Sequence, residues 1–224
     1  MKIVVYIYLE KRKDSWVSAG FTGRCKLVCS TLPSMNVRYT LQSLFSILLS
    51  RKLSTIKIPF TIANKVHFNF KGLLVSKYSP QVMSNDFIST ARRILDKLHS
   101  IWTGNKTFFS EEEISLEGLS YFAKKVLYLT MKIPRGFVTT YGNIAQLLGG
   151  RKYSRATAKV LSENPIPLAI PCHRVVYFDG RLGGYSADGG VLIKRQLLEK
   201  EGVRFTSSGK VCPEYVVRLN SLNL

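Results

Sequence analysis

Apolar positions in the first hundred residues follow two spacings, which together predict a small sheet with helices packed on it. The opening run of residues 1–9 is apolar and indicates a strand, and β-like runs recur at residues 56–62 and 66–70. Apolar residues at helical spacing predict helices over about residues 37–51 and 86–102. We expect both helices to cover the sheet.

The pattern after residue 115 is more helical. A helix is predicted over residues 116–132, and Thr140 can cap a short helix over residues 141–148. After a glycine pair, Ser154 is expected to cap a second helix that runs to about residue 163. Two short helices joined by a tight turn have the outline of a helix-turn-helix, so we predict an α+β protein with a winged-helix-like second part.

A change of composition near residues 104–115 indicates a domain boundary. The chain has 224 residues, which is enough for two ordinary domains, each with its own core. We predict a mixed N-terminal scaffold domain over residues 1–110 and a mainly helical C-terminal domain over residues 111–224.

The second short helix has a surface that suits close approach to DNA without reading its sequence. Arg155 lies in its first turn, while Ala156 and Ala158 are short. A helix that reads base edges in the major groove usually carries several long hydrogen-bond donors. A bare helix with one basic residue fits a shallow groove better. Packing of the alanines against a neighbouring helix is the alternative interpretation.

Charge points to the same class of partner. The chain has 33 Lys and Arg against 14 Asp and Glu, a formal net charge of +19, which favours nucleic acid or an acidic membrane surface, or reflects a generally basic proteome. The apolar opening run is shorter than the roughly 20 residues that span a bilayer, and it lacks a signal-cleavage site. We therefore expect no membrane association and a cytoplasmic, chromosome-associated protein.

The four cysteines lie in three neighbourhoods: Cys25 with Cys29, Cys172 alone and Cys212 alone. The first pair suits zinc or a disulfide, but no histidine in this half shows ligand-like spacing, and buried reduced thiols are the other interpretation. The sequence contains no phosphate loop, dinucleotide motif or metal-binding cluster that we recognise. We predict no metal site and no cofactor.

The chemistry concentrates in residues 164–176, where three prolines restrict the backbone and the last, Pro171, directly precedes Cys172. The adjacent His173 can accept the thiol proton and leave a nucleophilic thiolate. Neighbouring side chains of a strand point to opposite faces, so the pair can cooperate only across a turn or through a water. Glu201 is a candidate to orient the imidazole. An inert buried cysteine is the alternative.

These motifs resemble the O6-methylguanine-DNA methyltransferase family over about residues 118–202. The family's proline-cysteine-histidine-arginine-valine signature stands at residues 171–175, with Asn164-Pro165 before it and Gly184-Tyr185-Ser186 after it. Residues 136–142 resemble the segment that carries the family's DNA-rotating tyrosine. The resemblance implies single-use transfer of an alkyl group from O6 of guanine to a cysteine, by a monomer that acts on double-stranded DNA and needs no cofactor or obligate protein partner.

The resemblance also implies residue roles. Cys172 is the expected alkyl acceptor, His173 its base through a water, Glu201 the orienting carboxylate, Asn164 the residue that orders the turn, and Tyr141 the donor to the leaving base. The expected DNA-contacting residues are Arg155, which fills the gap in the base stack, with Thr140, Tyr141, Ala156 and Ala158. The expected residues of the guanine pocket are Val175, Tyr185, Ser186 and Pro167.

Three other functions were weighed against repair: a lesion sensor of the alkyltransferase-like type, a helix-turn-helix regulator and a Cys-His hydrolase. Such sensors replace the acceptor cysteine, whereas Cys172 is retained here. A regulator needs base-reading side chains and usually a dimer, and the local signatures of the hydrolases are missing. One departure from better-known members, two apparent extra residues within the run 187–193 after Ser186, affects the expected lip of the pocket.

Overall fold

The strands of the N-terminal unit pair in one mixed sheet of five strands, in the order β3-β2-β1-β4-β5. The strands are β1 (Val4–Arg12), β2 (Ser15–Phe21), β3 (Leu27–Ser30), β4 (Thr55–Pro59) and β5 (Leu74–Tyr78). β1 runs antiparallel to β2 and parallel to β4. The computed structural model describes residues 4–13, 15–35, 40, 42–44, 46–47, 55–59, 74–78, 84–186 and 189–219.

A long helix, α1 (Asn85–Thr103), packs on this sheet. Phe87 meets the rings of Phe21 and Tyr6 edge-on, at centroid distances of 6.1 and 5.7 Å. Its buried positions follow a helical stripe: Ala91, Ile94, Leu95 and Leu98. The helix predicted over residues 86–102 is therefore confirmed.

Two other predictions for this unit fall partly or wholly outside the described residues. Of the helix expected over residues 37–51, positions 40, 42–44 and 46–47 are helical, and the rest is not described. The β-like run at residues 66–70 also lies outside the described chain.

The cysteines of this unit are free thiols. Cys29 is buried in β3, and the Cys25 thiol donates to the Phe87 carbonyl at 3.4 Å. Burial raises the pKa of Cys25 to about 11, which keeps it protonated at neutral pH. The sequence left a disulfide and reduced thiols open for Cys25 and Cys29. The structure contains the reduced thiols and no disulfide between them.

The second unit is mainly helical, with one short two-stranded parallel ribbon. Its elements are α2 (Tyr121–Met131), β6 (Thr139–Thr140), α3 (Tyr141–Leu147), α4 (Ser154–Ser162), β7 (Val175–Val176) and α5 (Gly190–Lys200). The ribbon pairs Thr139 with Val175 and Thr140 with Val176. It therefore joins the start of α3 to the segment that follows Cys172. The units comprise residues 1–100 with 107–119, and residues 101–106 with 120–224, so the division falls later than the boundary expected after residue 110.

Two helix starts differ from the sequence prediction. α2 begins at Tyr121 and not at residue 116, because the Ser120 hydroxyl caps it by accepting the Ala123 N–H at 3.2 Å. Ser154 is the first residue of α4 and not its cap, since a 3₁₀ turn over Arg151–Tyr153 leads directly into the helix. The Thr140 cap of α3 is confirmed, as its hydroxyl accepts the Asn143 N–H.

Among the helices that the structure describes, none is both long enough and apolar enough to cross a bilayer.

Candidate active site

Asn164 closes the turn that presents Cys172. Its Nδ2 donates to the Ile170 carbonyl at 2.9 Å and to Cys172 Sγ at 3.1 Å, while its Oδ1 accepts the Ile166 N–H at 3.0 Å. One buried side chain thus holds both ends of the proline-rich segment and touches the thiol, which is only 7% exposed. The expected ordering role of Asn164 agrees with these contacts.

Cys172 and His173 lie in a 3₁₀ turn, Cys172–Arg174, and not in a strand. The tight turn changes the relative direction of adjacent side chains, as cooperation between them requires. His173 Nε2 lies 3.0 Å from Glu201 Oε1. The other ring nitrogen, Nδ1, is buried and has no hydrogen-bond partner among the described residues, so it can accept a proton.

Glu201 caps the C-terminal end of α5 and is paired with the guanidinium of Arg174. Arg174 donates from Nε to Oε2 and from Nη2 to Oε1, both at 2.8 Å. Burial acts to raise the pKa of Glu201, but the hydrogen bonds with His173 and Arg174 and the charge of Arg174 outweigh it and hold the pKa at about 2. Glu201 is therefore a fixed negative charge behind the imidazole.

The thiol and the imidazole are both neutral at rest. Burial raises the pKa of Cys172, against the opposing effects of the Asn164 hydrogen bond and the Lys194 charge. Burial also lowers the pKa of His173, although Glu201 opposes this shift. A neutral imidazole next to a neutral thiol can act as a base. The thiol proton moves to it only in a reaction that makes the transfer favourable.

Lys194, which the sequence analysis did not single out, lies beneath the site. It is 1% exposed, and its Nζ donates to the carbonyls of Val175 and Leu182 at 2.7 and 2.5 Å. Burial lowers its pKa to about 8, with Cys172 acting in the opposite direction. Lys194 lies on the buried stripe of α5 with Leu197 and Leu198. Its position on this apolar stripe is the feature of the sequence from which its burial could have been predicted.

A cavity of about 510 Å³ opens over Cys172. Its lining residues are Tyr141, Ala158, Lys159, Leu161, Ser162, Cys172, Tyr177, Gly184, Tyr185 and Ser186. Two of the four residues expected to form the pocket, Tyr185 and Ser186, line it. Val175 is fully buried in β7, and Pro167 is not among the lining residues.

Two tyrosines of the cavity wall pack on each other. The rings of Tyr141 and Tyr177 lie 5.6 Å apart at a tilt of 56°. Burial, followed by the nearby Cys172 and Tyr177, raises the pKa of Tyr141 to about 12, so it remains a hydrogen-bond donor at physiological pH. Tyr177 was missed because a single aromatic residue after an apolar strand carries no distinguishing pattern.

The hydroxyl of Tyr185 is buried beside the Cys172 thiol. Burial, then the neighbouring Cys172, raises the pKa of Tyr185 well above its ordinary value. The tyrosine is therefore neutral and supplies a polar atom at the wall close to the thiol.

The expected DNA-contacting residues differ in exposure. Arg155 and Ala156 are exposed on α4, and Ala158 lines the cavity. Thr140 is buried, and its hydroxyl is engaged as the α3 cap. Lys159, one helical turn after Arg155, is exposed and lines the cavity. It is a second cation on α4, a helix that was predicted to carry one basic residue among short side chains.

No described group of three His, Cys, Asp or Glu side chains is arranged to hold a metal ion. Of the run 187–193, where the sequence suggested two extra residues, positions 187 and 188 lie outside the described residues, and α5 begins at Gly190. The site thus consists of Cys172 at the floor of a cavity, His173 next to it in the chain and the Glu201 carboxylate bonded to the imidazole. It lies in the unit that carries the helix-turn-helix. The fold is that of a DNA-binding protein with a helix-turn-helix, and the site makes Cys172 its candidate nucleophile.

Comparisons with known proteins agree with this class. Residues 121–203 match the family described as "6-O-methylguanine DNA methyltransferase, DNA binding domain". The methylated-DNA--protein-cysteine methyltransferase of Methanothermobacter thermautotrophicus is 40% identical over 112 residues, which cover 50% of this chain and 61% of the relative. That of Pyrobaculum aerophilum is 42% identical over 111 residues, which cover 45% of this chain and 72% of the relative.

A solved structure extends the similarity of fold beyond this segment. Mycobacterium tuberculosis OGT, crystallised in complex with DNA, superposes with a TM-score of 0.55 over 88% of this chain and 92% of that one, at 21% identity. The chain belongs to the methylated-DNA--protein-cysteine methyltransferase family. It spans just under two thirds of the Methanothermobacter relative's length.

Proposed function

We propose that this protein repairs DNA directly, by moving one alkyl group from O6 of a guanine to Cys172 and keeping it. The observation that carries the proposal is the position of Cys172 at the floor of a cavity, in hydrogen-bond contact with Asn164 and next in the chain to the His173–Glu201 pair. The proposed partner is double-stranded DNA with an O6-alkylguanine. The protein acts as a monomer, in the cytoplasm and on the chromosome.

The proposed reaction is a displacement at saturated carbon. The thiol proton passes to His173, through a water, and Glu201 stabilises the imidazolium that forms. The Cys172 sulfur then forms a bond to the alkyl carbon while the bond from that carbon to O6 breaks. The electron pair goes to O6, and Tyr141 donates to the purine ring as its negative charge develops.

The products explain why the protein would act once. Overall, the proton lost by the thiol ends on the repaired guanine, which stays in the DNA. The reaction therefore needs no oxidant, reductant or metal. A thioether, unlike a thioester, is not hydrolysed by water, and Cys172 stays alkylated. Each molecule therefore repairs one lesion.

Access to O6 requires that the damaged nucleotide leave the duplex, since a stacked and paired base hides its reactive carbon from a buried thiol. Exposed Arg155 on α4 is placed to fill the space left in the stack, next to a cavity that receives the base. In this arrangement Tyr141 and Tyr185 contact the extruded guanine from the walls, with Ser186 beside them. Short Ala156 lets the helix backbone approach the groove.

Intact mass spectrometry tests the proposal. The protein is mixed with a duplex that carries one O6-methylguanine, and a Cys172→Ser variant serves as the control. The wild type is expected to gain the mass of one methyl group, once, and peptide mapping is expected to place it on Cys172. Binding of the duplex without any gain in mass would contradict repair and favour the lesion-sensor or regulator function.

Lys159 is expected to contact a phosphate. It is exposed on the same side of α4 as Arg155, it lines the cavity, and none of its described neighbours forms an ion pair with it. Replacing it by glutamine should weaken DNA binding and lower the slope of log Kd against log salt by about 0.9, the value for one phosphate contact. The transfer rate at saturating DNA should not change.

The matched control for this change is Lys132→Gln, which removes the same charge from an exposed lysine at the end of α2. Lys132 does not line the cavity. Equal salt slopes for the Lys159 and Lys132 variants would show that only overall charge matters and that Lys159 makes no local contact.

A further inference from the structure

A tight turn at the edge of the cavity holds an aromatic ring in solvent. The Gly180 N–H donates to the Tyr177 carbonyl at 3.0 Å, and the Tyr177 N–H donates to the Arg181 carbonyl at 2.9 Å. Phe178 lies within this turn and is 87% exposed. We call residues 177–181 the aromatic turn.

The aromatic turn is anchored to the rest of its unit. The Val211 N–H donates to the Gly180 carbonyl at 2.9 Å. Gly180 has a φ of +80°, and a Cβ atom there would lie 3.0 Å from the Val211 carbonyl oxygen. Only glycine meets both conditions without strain. The position of Phe178 is therefore fixed by the fold.

Exposure of one phenylalanine carries little information by itself, because scattered apolar residues are normal on protein surfaces. Phe178 differs from the others by its neighbour in the chain. Tyr177 lines the cavity and packs on Tyr141, so the turn that carries Phe178 is continuous with the wall of the cavity. Burial of such a ring by a partner stabilises a complex, because it removes apolar surface from water.

The charges around Phe178 are compatible with a polyanion. Asp179 is the acidic residue of the turn, and its carboxylate accepts from Arg181 Nε at 2.6 Å, so its charge is paired. The Arg181 guanidinium lies over the Tyr177 ring, 5.4 Å from its centroid. Across the cavity, α4 carries Arg155 and Lys159 as exposed cations.

We propose that Phe178 is a second wedge, which inserts beside the base step next to the extruded nucleotide while Arg155 fills the gap itself. The inference rests on the proposed function, in which a nucleotide leaves the duplex and enters the cavity. Apolar side chains that enter the minor groove unstack a base step, and the bent duplex then buries more protein surface. Phe178 thereby lowers the free energy of the open duplex and accelerates transfer from paired lesions.

The test compares Phe178→Ala with the wild type on two substrates, an O6-methylguanine paired with cytosine and the same lesion in a single-base bulge. Loss of base–aromatic stacking should slow single-turnover transfer from the paired lesion about tenfold. The bulged lesion has no pairing to break, so its rate should fall much less. A 2-aminopurine base next to the lesion should brighten less on binding the variant.

Two further variants complete the design. Phe178→Trp keeps an aromatic ring and is expected to restore the rate, and Phe108→Ala removes another ring that is 80% exposed, in the N-terminal unit, as a matched control. Unchanged rates for Phe178→Ala, or equal losses on both substrates, would overturn the wedge. Methyl transfer by the wild type is measured in parallel, so failure of the wedge and failure of the repair function give different results.

Discussion

Glu201→Gln is expected to slow alkyl transfer about 100-fold while leaving the affinity for DNA unchanged. The carboxylate stabilises the imidazolium that forms when His173 takes the thiol proton, and glutamine preserves a hydrogen-bond acceptor at 3.0 Å without the charge. Glu201 does not touch the substrate, so it is a positioning residue. Single-turnover rates at saturating duplex, with Kd measured separately, check the result.

The pH dependence separates this role from a purely structural one. Removing the carboxylate lowers the pKa of His173 further, so the rise in rate that follows deprotonation of the imidazole should lie at lower pH in the Glu201 variant than in the wild type, and the plateau above it should be lower. Glu199→Gln is the matched control, because Glu199 pairs with Arg195 on the exposed face of α5 and such pairs contribute little. A pH profile identical to that of the wild type would contradict the proposed role.

The same substitution should destabilise the protein. It leaves the buried guanidinium of Arg174 without its counter-ion, a change that costs about 3 kcal/mol. The folded pKa of Glu201, about 2, lies below its ordinary value of 4.5, so its stabilising effect is complete above about pH 4.5 and is lost as pH falls towards 2. Urea unfolding at pH 7 and pH 3 should therefore show a smaller difference between variant and wild type at the lower pH.

The sequence predicted those features that depend on neighbouring residues. The Thr140 cap, the glycines after α3 and the rigid segment before Cys172 all act within a few positions. Such local signals can be recognised in the sequence because residues a few positions apart produce them, whatever distant segments pack nearby. The starts of α2 and α4 were misplaced where two local signals competed, as when Ser120 rather than an earlier residue became the cap.

The missed residues depend on contacts between distant segments. Lys194 is informative only because α5 brings it under the carbonyls of Val175 and Leu182. Tyr177 becomes part of the cavity because the β6–β7 ribbon places it against Tyr141. No spacing along the chain encodes these pairs. Lys159 could have been found, since it lies one helical turn after Arg155.

The buried charges of the site are balanced in different ways. Glu201 is matched by a cation with two hydrogen bonds, whereas Lys194 is held by two neutral carbonyls and has its pKa lowered to about 8. The lysine therefore has a positive charge that is only partly compensated, close to Cys172. That charge favours the thiolate as it forms, without making the resting thiol ionise. In the proposed single-use reaction, such a thiol stays unreactive until a substrate is bound.

Tyr141→Phe is expected to lower the transfer rate about 100-fold, because it removes the donor that stabilises the departing purine. The pKa of Tyr141 is about 12, so the phenol keeps its proton and its ionisation should not shape the pH–rate profile of the wild type below about pH 11. Phenylalanine preserves the packing on Tyr177, and thermal unfolding should hardly change. The neighbouring Tyr177→Phe variant loses a hydroxyl from the same wall and should react at the wild-type rate. If Tyr141→Phe also retained that rate, the departing base would have to accept its hydrogen bond from another group, and the neutral hydroxyl of Tyr185, buried beside Cys172, is the group that the cavity offers.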